Sequence, residues 1–204
     1  MYMRPILSAD VSSSRLKGSS RPTCAPTPNA FITPSTITGS LFERAAAAPE
    51  ARLFGIEIKA KWATKVEERR QRLGLERVRV FCGDAREILG RAGPDGCVAR
   101  VFVHFPDPWW KKKHQKRRVV GVALLDELAR LLAPGGEVYV QTDVEDRAAL
   151  YVETLAAHPA FELAGEGGYV SANPFGAMSN RERRAAEDGL PVYRVLARRR
   201  QRLA

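Results

Sequence analysis

Residues 105–118 of this chain read FPDPWWKKKHQKRR: a carboxylate, Asp107, stands between two prolines, two tryptophans follow, and a block of cations comes next. Pro106 and Pro108 fix their own φ angles and stiffen the backbone on either side of Asp107. Trp109 offers a flat apolar face on which a base can stack. Lys111, Lys112, Lys113, Lys116, Arg117 and Arg118 can neutralise nearby backbone phosphates. Carboxylate, aromatic plane and cations together match what an extruded nucleotide needs. A purely structural loop gains nothing from concentrating so many like charges.

Three more acids occupy comparable places. Glu57 falls at the end of the apolar run RLFGIEI (52–58), Asp84 just after RVRVF (77–81), and Asp143 just after EVYVQT (137–142). In an open α/β sheet, ligands bind beyond the carboxyl ends of the strands, so the four acids would line one edge. Each taken singly also suits the N-cap of the helix that follows it; four in register with four strands favour a site. An acid in the position of Glu57 can accept both hydroxyls of a ribose, and Asp84 can accept a hydrogen bond from an adenine amino group. Such a pair would hold an adenosine moiety without reading any phosphate.

The elements that must place these acids alternate. LFERAAAAPEA, beginning at Leu41, favours helix up to Pro49. Strands are expected over 52–58, 77–81, 97–105 and 137–142, and helices over 60–73, 85–89 and 145–157. Leu124, Leu125, Leu128, Leu131 and Leu132 share one helical face, and Pro134 with two glycines ends that helix. Two late strands, 161–164 and 192–197, show no obvious helix between them and suit antiparallel pairing at one edge. Strand–helix alternation predicts βαβ units, a mostly parallel sheet and right-handed crossovers. Residues 1–38 are rich in Ser, Thr and Pro without useful periodicity and read as a disordered or aberrant N-terminal segment, leaving 39–204 as the folded domain.

At 204 residues and 45% hydrophobic, the chain has the size of one compact domain. Its 33 Lys and Arg against 23 Asp and Glu give +10, which makes nucleic acid the leading partner class. Cys24, Cys82 and Cys97 form no CxxC pair, and His104, His114 and His158 stand apart from them, so neither a disulfide framework nor a metal is expected. No apolar run approaches the roughly 18 residues of a membrane span; the expected location is the cytoplasm.

GIEIKAKW (55–62), Gly-Asp-Ala (83–85), FPDPWWKKKHQKRRVV (105–120), LAPGGEVYVQTD (132–143) and SNRERRAAEDGLPVYRV (179–195) resemble the bacterial tRNA (guanine-N7) methyltransferases. The resemblance covers roughly 40–197; FPDPW with its basic block is specific, and LAPGG before a strand is common to many methyltransferases. It implies a Rossmann-like class I fold using S-adenosylmethionine as methyl donor and tRNA as substrate. It implies that Glu57, Asp84 and Asp107 line the donor pocket, with Asp107 at the catalytic centre. It further implies that Lys111, Asp143, Ser179, Asn180, Arg181 and Glu182 meet the guanine nucleotide in the tRNA variable loop. Two departures stand out. The family's first strand and Glu-x-Gly-x-Gly loop read as missing or altered here, which keeps open an inactive tRNA-binding paralogue or an N-terminally truncated form. Arg181 replaces an aromatic residue, and its guanidinium plane can still stack on a base.

Overall fold

The computed structural model describes residues 30–34, 40–106 and 119–201. Seven strands and six helices follow one another as β1 (Ala30–Pro34), α1 (Ser40–Ala47), β2 (Arg52–Glu57), α2 (Ala60–Arg72), β3 (Val78–Cys82), α3 (Ala85–Gly90), β4 (Val98–His104), α4 (Val122–Leu131), β5 (Leu132–Thr142), α5 (Glu145–Ala157), β6 (Phe161–Tyr169), α6 (Asn180–Glu187) and β7 (Tyr193–Arg199). They build one sheet in the order β3-β2-β1-β4-β5-β7-β6. The first five strands run parallel, while β7 pairs antiparallel with both β5 and β6. The mostly parallel sheet with an antiparallel C-terminal edge is therefore as the sequence predicts.

Both faces of the sheet are covered, as parallel strands require. On one face α1 and α2 pack Leu41, Phe42, Ala45, Ala63 and Val66 against Leu53, Val78, Val80, Phe102 and Tyr139. On the other, Leu124, Leu125, Leu128 and Leu131 of α4 join Leu89, Ala148, Tyr151 and Leu155 over Val101, Val103, Val138 and Val140. Successive side chains of a strand point to opposite faces, so Val101 and Val103 serve one core and Phe102 the other.

The N-terminal expectation needs correction. Ala30–Pro34, left outside the sheet by the sequence reading, forms β1 at its centre, in parallel register with β2 (Ala30↔Arg52 to Pro34↔Ile56) and with β4 (Phe31↔Arg100, Ile32↔Val101). A first strand is thus present, short and altered. The glycine-loop position, 35–39, lies outside the described residues.

Three smaller differences have local causes. Leu132, expected in the α4 helix, opens β5 instead, pairing with Val98 before the register shifts to Arg100↔Glu137; the intervening Pro134, Gly135 (φ +76°) and Gly136 bulge out of the ladder. A helix the sequence reading did not find, α6, lies between the last two strands. β6 runs on to Tyr169, with a register shift between Ala164 and Tyr169.

Gly136 fixes the close approach of β5 to β4: a Cβ there would lie 2.8 Å from the Ala133 carbonyl oxygen and 3.0 Å from that of Ala99. Gly136→Ala is expected to destabilise the fold by about 1–3 kcal/mol, read as a lower urea midpoint at unchanged m-value.

Candidate active site at the carboxyl edge of the sheet

The parallel strands deliver their carboxyl ends to one edge. Glu57, the last residue of β2, is in register with Cys82, the last of β3. Its carboxylate is buried, 7% exposed. Oε1 accepts the Lys59 backbone N–H at 2.9 Å, and Oε2 accepts no hydrogen bond among the described residues. The Glu57 carbonyl accepts the Gly83 N–H at 3.0 Å, tying this strand end to the turn that carries Asp84. Burial, and then the negative charge of Glu57, push the Cys82 thiol up.

A buried carboxylate with an oxygen to spare, at the end of a parallel strand, has the donor chemistry for a ribose hydroxyl pair. The Ser40 hydroxyl gives a second sign of an absent polar partner. It opens α1, the helix that follows β1; Ser40 is 2% exposed, and its Oγ has no hydrogen-bond partner among the described residues. An unsatisfied buried polar atom costs about 1–3 kcal/mol, which a hydrogen-bonding ligand at this edge would offset. Glu57 and Ser40 therefore fit an adenosyl ligand lying across the ends of β1 and β2.

Asp84 is differently employed. Oδ1 accepts the Arg86 N–H at 2.9 Å, making Asp84 the N-cap of α3, and Arg86 Nη2 closes an ion pair on Oδ2 at 2.7 Å. The Arg86 side chain, more than any other cause, holds this carboxyl below the usual carboxylate range. The capping use of a strand-end acid thus describes Asp84 in the structure, and an adenine amino group would share the carboxylate with Arg86.

At the other end of the edge, Asp143 follows β5 and forms an ion pair with Arg181 in the first turn of α6. The Arg181 guanidinium lies 5.8 Å from the centre of the Phe105 ring. Phe105 directly follows β4, with φ +44°, a left-handed value that a bulky residue adopts only when its surroundings hold it there; its N–H donates to the Gln141 carbonyl at 2.7 Å. This strained corner leads into Pro106 and Asp107. Asp107, Lys111, Lys112, Lys113, Lys116, Arg117 and Arg118 lie outside the described residues.

Ser179 caps α6 by accepting the Glu182 N–H at 3.0 Å, half of the Ser-x-x-Glu capping box. Asn180, exposed beside it, accepts from Arg183 at 3.0 Å. The Glu182 side chain, instead of closing that box, is buried in an ion pair with Arg194 of β7 at 3.1 Å, beside an open pocket of ≈ 360 Å³ lined also by Ser171, Asn173 and Met178. Asp143 and Arg181 are therefore brought together across 38 positions of sequence, whereas Glu182 is buried against Arg194.

The structure adds a set that the sequence reading did not single out. His104 Nδ1 lies 2.6 Å from Gln141 Oε1, so the ring donates through Nδ1, and Gln141 Nε2 donates to the Tyr139 hydroxyl at 3.1 Å. Arg194 also bonds that hydroxyl, extending the chain to Glu182. His104 and Gln141 are partners across β4 and β5, and all three residues are almost fully buried. Burial pushes ionisation of Tyr139 above its usual range and lowers His104 to about 4. The signal was present in the sequence: polar residues interrupt otherwise apolar strands at His104 and Gln141.

Because the folded state holds His104 neutral, the unfolded chain binds the extra proton between pH 6.5 and 4. Stability from this histidine is complete above pH 6.5 and falls as pH drops toward 4, by at most about 1.4 kcal/mol per pH unit. Denaturant titrations at a series of pH values are expected to show that slope in the wild type and to lose it in His104→Gln.

Among the described residues no group of three His, Cys, Asp or Glu side chains could hold a metal ion, and no helix is long and apolar enough to cross a membrane.

Comparison with known proteins gives this edge a context. The family described as "Putative methyltransferase" matches residues 35–195. A protein of Trichormus variabilis named tRNA (guanine-N(7)-)-methyltransferase is 36% identical over 151 residues, 72% of this chain and 70% of its own length. One of the same name from Microcystis aeruginosa is 37% identical over 161 residues, 78% of this chain and 76% of its own. Among solved structures, TrmN from Thermus thermophilus superposes with a TM-score of 0.58 at 21% identity over 86% of this chain, which spans 45% of that one; a likeness at that identity shows the fold.

Proposed function

The chain belongs to the tRNA (guanine-N(7)-)-methyltransferase family, and we propose that it transfers a methyl group from S-adenosylmethionine to N7 of a guanine in the tRNA variable loop, in the cytoplasm. The observation that carries the reading is the order of groups along one sheet edge: Glu57 at the end of β2, with a carboxylate oxygen that accepts no hydrogen bond among the described residues, the strained Phe105 just past β4, and Asp143 joined to Arg181 beyond β5.

Guanine N7 carries an in-plane lone pair in the neutral base, so the transfer needs no general base. That lone pair forms the new N–C bond to the methyl carbon as the carbon–sulfur bond breaks and its electrons return to sulfur. The products are S-adenosylhomocysteine and a cationic 7-methylguanine. The protein's contribution is in-line placement of two bound reactants. Glu57 holds the donor's ribose hydroxyls, Asp84 lies beside the adenine, and Asp107 stands at the catalytic centre. Carboxylates suit the N1–H and N2 amino donors of guanine, an edge that adenine does not offer. Asp143 supplies one, with Lys111 and the Ser179–Glu182 turn completing the nucleotide site. Arg181, lying over Phe105, offers the guanidinium plane on which the base stacks in place of the family's aromatic. Lys112, Lys113, Lys116, Arg117 and Arg118 neutralise tRNA phosphates.

An inactive tRNA-binding form is not favoured. Its premise, the altered Glu-x-Gly-x-Gly loop, falls at 35–39, outside the described residues, whereas relatives named as tRNA (guanine-N(7)-)-methyltransferases align over most of this chain.

Methyl transfer from labelled donor to unmodified tRNA, with nucleoside analysis, is expected to yield 7-methylguanosine. Asp107→Ala is expected to abolish that turnover with tRNA affinity nearly unchanged, whereas Lys112→Ala with Lys113→Ala and Lys116→Ala is expected to weaken binding and flatten its salt dependence by about one unit of slope per lost phosphate contact. Equal loss of binding in both variants would contradict the division of roles.

A further inference from the structure

Helix α2 turns a basic face to solvent that the site at the sheet edge does not use. Lys61, Lys65 and Arg69 recur every four residues, with Trp62 beside the first of them, and all four are exposed. Residues four apart in a helix lie on one side, so the cations form a stripe; its first two members stand in the opening turns, next to Glu57 and the ligand edge. The opposite side of α2 buries Ala63, Val66 and Glu67 against the core.

Two features distinguish this stripe from an ordinary solvated face. First, its charges are uncompensated. Inward-leaning Arg70 is neutralised by Glu67 at 2.7 Å, yet Lys61, Lys65 and Arg69 form no ion pair among the described residues, although exposed Glu68 is a neighbour of Lys65 on the helix. Second, an aromatic plane lies among the cations. Trp62 is 42% exposed, with Lys65 Nζ 5.0 Å from its ring centre. Arg69 is braced over the Phe42 ring at 4.5 Å, so its guanidinium is held on the surface at little further cost in order. Fixed cations interleaved with an exposed indole are the combination that binds a nucleic-acid strand by phosphate neutralisation and base stacking.

We infer that Lys61, Trp62, Lys65 and Arg69 form a second RNA-contact surface, which grips the tRNA outside the reacting nucleotide. The inference rests on the proposed activity for its partner. The surface runs about 12 Å down the helix from Lys61 to Arg69. Its role is to hold the tRNA body while the strand-end groups hold the guanine, so it acts on affinity and leaves the transfer step alone.

The test compares the full chain with a triple variant, Lys61→Gln with Lys65→Gln and Arg69→Gln, in equilibrium binding to an unmodified tRNA transcript over a range of salt. The control removes the same charge elsewhere: Arg52→Gln with Arg79→Gln and Arg91→Gln, all exposed and away from the α2 stripe. The stripe variant is expected to bind at least about tenfold more weakly and to lose about two to three units of salt slope. KM for tRNA rises while kcat at saturating tRNA and donor affinity stay as in the wild type. Trp62→Ala is expected to weaken binding about fivefold or more with the salt slope kept, since stacking releases no counterions. The control is expected to change little.

Equal effects of stripe and control variants would overturn the inference, reducing it to net charge. So would an unchanged affinity and slope in the stripe variant while the wild type makes 7-methylguanosine, an outcome that leaves the proposed activity standing. A wild type that binds tRNA without methylating it would sink the activity and spare the surface if the stripe effect persists; one that does neither overturns both.

Discussion

Strand β1 pairs with β2 on one side and β4 on the other, so among the described residues Ala30–Pro34 carry the hydrogen-bond ladder that joins the β2–β3 half of the sheet to the rest. The register of that ladder decides where every other strand ends. With Pro34 opposite Ile56, the end of β1 falls one residue short of Glu57, and the pairing of Glu57 with Cys82 and of His104 with Gln141 then brings the remaining ends level. Removing β1 would leave Glu57 on a detached pair of strands. The acid proposed for the donor and the acids proposed for guanine share one edge only because five residues hold the two halves together.

That edge combines two electrostatic regimes. At Glu57 a buried carboxylate oxygen, and at Ser40 a buried hydroxyl, have no hydrogen-bond partner among the described residues; both would gain from a polar ligand. On the substrate side, acids and arginines have already found one another: Asp143 with Arg181, and Glu182 with Arg194. The first pair is exposed on the arginine side and therefore cheap to rearrange, since surface ion pairs contribute about 0–1 kcal/mol. The second is buried, and losing one partner would strand a charge at a cost of about 3–5 kcal/mol. Arg181 can therefore exchange Asp143 for another partner at little cost, while Glu182 holds α6 against β7. The His104–Gln141–Tyr139 chain runs through the core to Arg194 and Glu182, and Gln141 also accepts the Phe105 N–H through its carbonyl at the strand end from which Phe105 turns.

The elements that a sequence makes plain are those whose own residues settle the matter. RLFGIE, the leucines of α4 and the amphipathic α5 carry their period within a few turns or strand residues, and each forms where its pattern puts it. β1 was hidden for the opposite reason: AFITP is five residues with a terminal proline, and it becomes a strand through non-local ladders on both sides. α6 was hidden because NRERRAAE buries little beyond Glu182 and Ala185; its capping serine was the available signal. Leu132 fits the α4 face by spacing, but the Pro-Gly-Gly that follows it ends the helix one residue earlier. At the site, strand-end acids were legible from position alone. Their partners were not: Arg181 reaches Asp143 from α6, 38 positions along the chain, and Arg86 takes up Asp84 through the first turn of α3.

The central claim is that this sheet edge, organised by β1, holds an adenosyl donor through Glu57. Titration calorimetry of S-adenosylhomocysteine into the full chain tests it most directly. The account predicts one binding site per chain in the wild type, weakened at least about tenfold in Glu57→Gln, where the charged acceptor that makes the stronger hydrogen bonds is lost. Absence of binding to the wild type, or equal affinity in the two proteins, would contradict it.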